Sequence, residues 1–162
     1  MARGQHNQEK ISLISLPSPD TFTCMERPGT SLTVTGYGLR TPYSRLLTYN
    51  LRSAIMPVAP ISKCKEVYPS SDLTKSMLCS GDGRGISDSC QGDSGGPAVA
   101  YNYAAKKPEL VGLTSWGHEE CGRRGFYAVL TRVSVFVDWI QQSVYNDRRK
   151  PPEICERGIA SP

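Results

Sequence analysis

Apolar positions in this chain come in short runs, many of them alternating with polar ones, and glycine or proline interrupts almost every run. SLTVTGYG, residues 31–38, alternates and is rich in β-branched side chains, which predicts a strand entering a turn. LLTYNLRSAIMPVAPI, residues 46–61, predicts one or two strands, with Pro57 and Pro60 confining that end to a sheet edge or a bend. GPAVAYNY and ELVGLTSWG read as the two arms of a hairpin, separated by a polar, lysine-bearing stretch over 102–108. FYAVLTRV, residues 126–133, predicts a further strand. Short strands at this spacing point to an all-β barrel or sandwich. The period changes once. Over 134–144, Phe136, Val137, Ile140 and Val144 recur at helical spacing around Asp138, Gln141 and Gln142, which predicts one amphipathic helix laid on the strands. The polar YNDRRKPPEICERGIASP that follows reads as a flexible tail. No internal repeat is present.

Composition narrows the class. The 162 residues suffice for one domain with its own core, and 38% hydrophobic with 21% charged residues fits a soluble globular chain. The net charge of +4 is mild, and the basic residues are scattered until Arg148, Arg149 and Lys150, so no nucleic-acid partner is expected. No apolar run reaches the length of a membrane span, and no membrane partner is expected. The start, MARGQHNQEKISLISLPSP, does not read as a signal peptide, because Ser12 and Ser15 interrupt its only apolar stretch. The six cysteines point the other way. None stands in a C-x-x-C spacing, which disfavours zinc and thioredoxin-type sites, so disulfides in an oxidising compartment are the expectation.

The candidate chemistry lies in DSCQGDSGGP, residues 88–97. A serine that attacks a carbonyl needs N–H donors aimed at the oxyanion, and backbone groups are the usual source. Gly92 lets the chain turn so that its own N–H and that of Ser94 point the same way, while Gly95 and Gly96 remove side chains where substrate must approach. Taken alone, the same residues also suit a plain turn with an exposed serine. The context is more specific. The segment resembles the active-serine segment of the trypsin/chymotrypsin family of serine proteases, and further matches fall in register with it. TGYG at 35–38, Cys64 and Cys79 around a loop, LTSWG at 113–117 followed by Cys121, and YAVLTRVSVFVDWI at 127–140 are all similar to that family in order and spacing. The likeness runs from about Ile14 to Val144.

The resemblance implies roles. Ser94 is the nucleophile, and the N–H groups of Gly92 and Ser94 form the oxyanion hole. Asp88 lies at the base of the primary specificity pocket with Ser89 beside it, and Ser115, Trp116 and Gly117 form its wall and the edge that pairs with substrate backbone. A carboxylate at a pocket base favours a cation, so peptide or protein substrates with Arg or Lys before the scissile bond are implied. Asp93 is the acid that pairs with a new amino terminus after cleavage of a precursor. Cys64–Cys79 and Cys90–Cys121 are implied as disulfides. Cys24 and Cys155 pair with one another or stay free. No cofactor is implied. Tyr127 resembles the residue of members that hold sodium on backbone carbonyls, here those of Arg123 and Phe126. Ala128 departs from the usual glycine, and its methyl is expected to narrow the pocket near Asp88. Leu32 and Ala100 together replace a frequent disulfide pair.

The family mechanism also needs a histidine to accept the serine's proton and an aspartate to orient it. The only histidines are His6, in a start expected to be disordered, and His118, expected on the pocket rim. His6 lacks the family's surrounding signature, His118 directly follows SWG as a surface or substrate-contact residue, and neither is expected to be the base. The expected organisation is therefore a disordered start over 1–13, a partial peptidase domain over 14–145 and a tail over 146–162. The domain is the second of two barrels, a six-stranded antiparallel Greek key closed by a C-terminal helix, with the first barrel absent. Two functions follow. One is a truncated serine endopeptidase half of secreted, extracellular type, with a separate chain supplying the first barrel. The other is a non-catalytic homologue acting as a binding module.

Overall fold

The computed structural model describes residues 11–18, 22–44 and 46–149. Six strands form its frame: β1 (Ser31–Gly36), β2 (Arg52–Pro57), β3 (Met77–Ser80), β4 (Pro97–Asn102), β5 (Lys107–Trp116) and β6 (Ala128–Arg132). They form one antiparallel sheet in the order β2-β1-β4-β5-β6-β3. The sheet curls until its two ends meet. Val58, just after β2, bridges Ser80 at the end of β3, flanked by Ala59 N–H to Cys79 O at 2.9 Å and Gly81 N–H to Pro57 O at 2.8 Å. With that closure β4, β1, β2 and β3 are neighbours in the Greek-key order, and the fold is a trypsin-like barrel.

The alternation read from the sequence is what fills the barrel. Leu32 and Val34 of β1, Ala98 and Ala100 of β4, Val111 of β5 and Leu130 of β6 point into one core with Met25, Met56 and Leu78. The β1–β4 register pairs Thr33 with Val99 and Val34 with Ala98, so Leu32 and Ala100 fall opposite one another at the next position. Both are buried, and a packed leucine–alanine pair stands in the core there. Pro57 ends β2 at the closing seam, where its carbonyl accepts the Gly81 N–H.

Several boundaries differ from the sequence reading. The connection expected over 102–108 is shorter, with the turn confined to 103–106. Asn102 closes β4 and Lys107 opens β5, because Asn102 turns inward to donate to the buried Glu109 carboxylate at 2.8 Å and caps the turn through Ala105 N–H. Residues 61–67 form a helix, α2 (Ile61–Val67), which follows α1 (Phe22–Met25) in the chain. A 3-10 turn, Val133–Phe136, precedes the terminal helix α3, which runs from Val137 to Arg149, starting later than 134 and continuing past 145. Arg132 pairs with Glu26 and fixes the start of that turn. Leu110 N–H donates to Ser15 O at 2.9 Å, so the Ser15 segment extends the ladder on β5 beyond β6. No described helix is long and apolar enough to cross a membrane.

Candidate active site

The long connection from β3 to β4 carries the serine turn, which β5 clamps. Asp93 N–H donates to Cys90 O at 2.9 Å, Gly96 N–H to Asp93 O at 2.9 Å, Gly95 N–H to Thr114 O at 2.8 Å, and Thr114 N–H returns to Gly96 O at 2.9 Å. These bonds fix the turn without using the N–H of Gly92 or Ser94, neither of which has a partner among the described residues. Gly92 sits at φ +98°, a conformation costly for any side chain. Ser94 is exposed, and its hydroxyl has no hydrogen-bond partner among the described residues.

Two carboxylates flank the turn in different settings. Asp93 accepts from Gly38 N–H at 2.8 Å through one oxygen and from Cys90 N–H at 2.9 Å through the other. That approach requires the glycines of TGYG. A Cβ at Gly36 would lie 1.9 Å from Asp93 Oδ1, and one at Gly38 would lie 2.5 Å from Asp93 Cγ. Asp88 accepts from Ser89 N–H at 2.9 Å and Gly122 N–H at 2.8 Å. Burial raises the Asp88 pKa above the ordinary carboxylate value; the two N–H groups oppose that shift and the nearby Asp93 charge adds to it.

A cavity of about 230 Å³ collects Asp88, Ser89, Ser94, Ser115, Trp116, Gly117 and Ala128 along its lining. The β5–β6 ladder slips between Thr114 and Trp116, which leaves Ser115 as the extra, exposed residue of a bulge at the cavity edge. Ala128 is buried in the wall, and a Cβ on Gly117 would meet Ala128 Cα at 3.6 Å, so the two strands run close here. Gly92 adjoins this cavity through the turn. Asp93 lines a second cavity of about 710 Å³ with Gly36, Gly38, Arg40 and Arg52, and the two cavities share Asp88, Cys90 and Cys121 as a wall. Arg123, Phe126 and Tyr127 border a third space of about 10 Å³, the scale of a single water site. No group of three or more His, Cys, Asp and Glu side chains converges as a metal site among the described residues.

Cys90 bonds to Cys121, joining the serine turn to the rim segment, and Cys64 of α2 bonds to Cys79 of β3. Cys24 is exposed and unbonded among the described residues. Cys155, its suggested partner, lies outside them, as does His6. His118 is on the cavity lining, but its Nδ1 accepts the Glu120 N–H at 3.0 Å and its ring lies against Phe126 at 4.2 Å. It makes no bond to Ser94.

Sequence reasoning passed over Tyr68. This tyrosine follows α2, donates to Tyr127 O at 2.6 Å, and sets its ring edge-on to Trp116 at 5.0 Å. It therefore props the cavity wall from behind. The apolar spacing of Ile61, Cys64 and Val67 was the available signal for α2 and hence for where Tyr68 points.

Comparison with known proteins adds an independent line. The family model described as Trypsin matches residues 3–140. Kallikrein-11 of Homo sapiens is 33% identical over 151 residues, covering 87% of this chain and 51% of that protein. Trypsin II-P29 of Gallus gallus is 37% identical over 134 residues, covering 83% of this chain and 49% of that protein. Complement C1s subcomponent of Bos taurus is 40% identical over 121 residues, 68% of this chain and 16% of that protein. The chain thus spans about half the length of the kallikrein and trypsin it matches.

Proposed function

Because this chain belongs to the trypsin family of serine proteases, we propose that it is the nucleophile-and-pocket half of a serine-type endopeptidase that acts after Arg or Lys. The observation that carries this reading is the single cavity that gathers Ser94, Asp88 and the Ser115–Gly117 edge. An Arg or Lys side chain enters that cavity and meets the buried Asp88 carboxylate, with Ser89 beside it. Ser94 Oγ then faces the next carbonyl carbon. The uncommitted N–H groups of Gly92 and Ser94 receive the oxygen as negative charge develops. Asp93 meets an amino terminus in the larger cavity, where it still has room for an ammonium beside its two backbone donors. In this reading the small space beside Tyr127 takes sodium on the Arg123 and Phe126 carbonyls.

Attack also requires a base for the Ser94 proton. Neither histidine of this chain fills that role in our reading, since His118 is committed to Glu120. The chain by itself therefore turns substrate over slowly, and a chain or segment carrying the first barrel completes the site. Large apolar side chains left exposed, among them Leu46, Leu51 and Trp139, support such a partner. Two disulfides suit an extracellular setting. The commitment of His118 also favours a second reading, in which the chain is a non-catalytic homologue that binds cationic side chains.

Benzamidine tests the pocket. It is expected to bind with an affinity that Asp88→Ala abolishes and that Ala128→Gly raises several-fold by widening the cavity. Binding that survives Asp88→Ala would overturn the assignment of Asp88.

A further inference from the structure

The rim segment 118–123 is tied down from two sides. On the serine-turn side Cys90–Cys121 crosses covalently, and Gln91 Nε2 donates to Glu119 O at 3.0 Å. On the other side stands Tyr43, from the loop after β1, whose hydroxyl donates to Glu120 Oε1 at 3.0 Å. Tyr43 is 80% exposed, so its ring is not held there by burial, and among the described residues the bond to Glu120 is the one hydrogen bond its side chain makes. Glu120 is the hub of the rim. Its other carboxylate oxygen lies 3.5 Å from Arg123 Nη1, and its N–H is the one that His118 accepts.

The position of this contact gives it significance. Residues 38–42 line one side of the 710 Å³ cavity that holds Asp93, while Cys121 and Gly122 line the other. Tyr43 and Glu120 are the next residues along each of these loops. Their hydrogen bond spans the gap between them, and the segment it holds also carries His118 and Glu119 of the smaller cavity.

We propose that Tyr43 and Glu120 form a clasp that fixes the rim segment 118–123 against the loop 38–44, and thereby positions the wall of the cation pocket. Tyr43 is a positioning residue, acting through Glu120 and touching no substrate. The pocket part of this proposal rests on the reading of Asp88 given above; the clasp itself does not.

The test uses Tyr43→Phe, which removes only the hydroxyl, and Glu120→Gln, which keeps a carbonyl-type acceptor for it. Amide hydrogen exchange of the full chain should speed up in 118–123 by about threefold or more in Tyr43→Phe, the scale of one lost hydrogen bond. Amides of β6 should be unchanged, and Glu120→Gln should resemble the parent. Benzamidine should bind Tyr43→Phe more weakly by a similar factor. Unchanged exchange in 118–123, or acceleration spread evenly over all strands, would overturn the clasp. If exchange responds as expected but benzamidine binds no variant, the clasp stands and the pocket reading falls.

Discussion

At the scale of single residues, Asp88 carries the sharpest expectation. Its folded-state pKa is raised, chiefly by burial, so folding favours the protonated form. The stability this gives is fully present below the ordinary carboxylate pKa and is lost as pH rises through the raised value. Asp88→Asn should therefore remove part of the fall in Tm between acid and neutral pH, as read by thermal melts across that range. A steeper fall in the variant would contradict the burial argument. Asp88 could be named from DSCQGDSGGP because the motif fixes its place. Tyr68 could not, since a lone tyrosine after an unrecognised helix carries no local mark; its contacts with Trp116 and Tyr127 exist only once α2 is folded onto β3. The partners of Asp93 lay between these cases. TGYG was legible as a strand-to-turn signal, but the reason for its two glycines, clearance for a carboxylate from a segment more than fifty residues later, needed the three-dimensional approach.

At the scale of elements, alternation decided what was legible. β1, β4 and much of β5 alternate because one face fills the barrel and the other meets solvent, whereas the first three residues of β6 are buried in a row. β3 is short, and three of its four residues are buried, so MLCS offers no alternation to detect. Helix α3 was placed by Phe136, Val137 and Ile140, yet Phe136 belongs to the 3-10 turn before it, where period 3.6 does not apply. The β1–β4 seam provides the element-level test. Leu32 is fully buried opposite Ala100, in a position without a covalent tie. Leu32→Ala should cost about 2–5 kcal/mol in denaturant unfolding, with little change in m-value. A loss much smaller than this would mean the seam relaxes around the void and is not the packed centre of the barrel.

At the scale of the molecule, the barrel brings the serine turn, the rim and the β5 edge around one cavity, and Cys90–Cys121 joins the first two covalently. We propose that this arrangement holds a nucleophile, an oxyanion site and a cation pocket but, among the described residues, no base for the Ser94 proton. Turnover of an arginine p-nitroanilide by the purified chain, compared with Ser94→Ala, tests it most directly. Loss of a triad member lowers turnover by up to about 10⁶ in a related mechanism, so the account predicts no Ser94-dependent hydrolysis above background. Rapid hydrolysis that Ser94→Ala abolishes would contradict it, and would make His118 the first residue to replace.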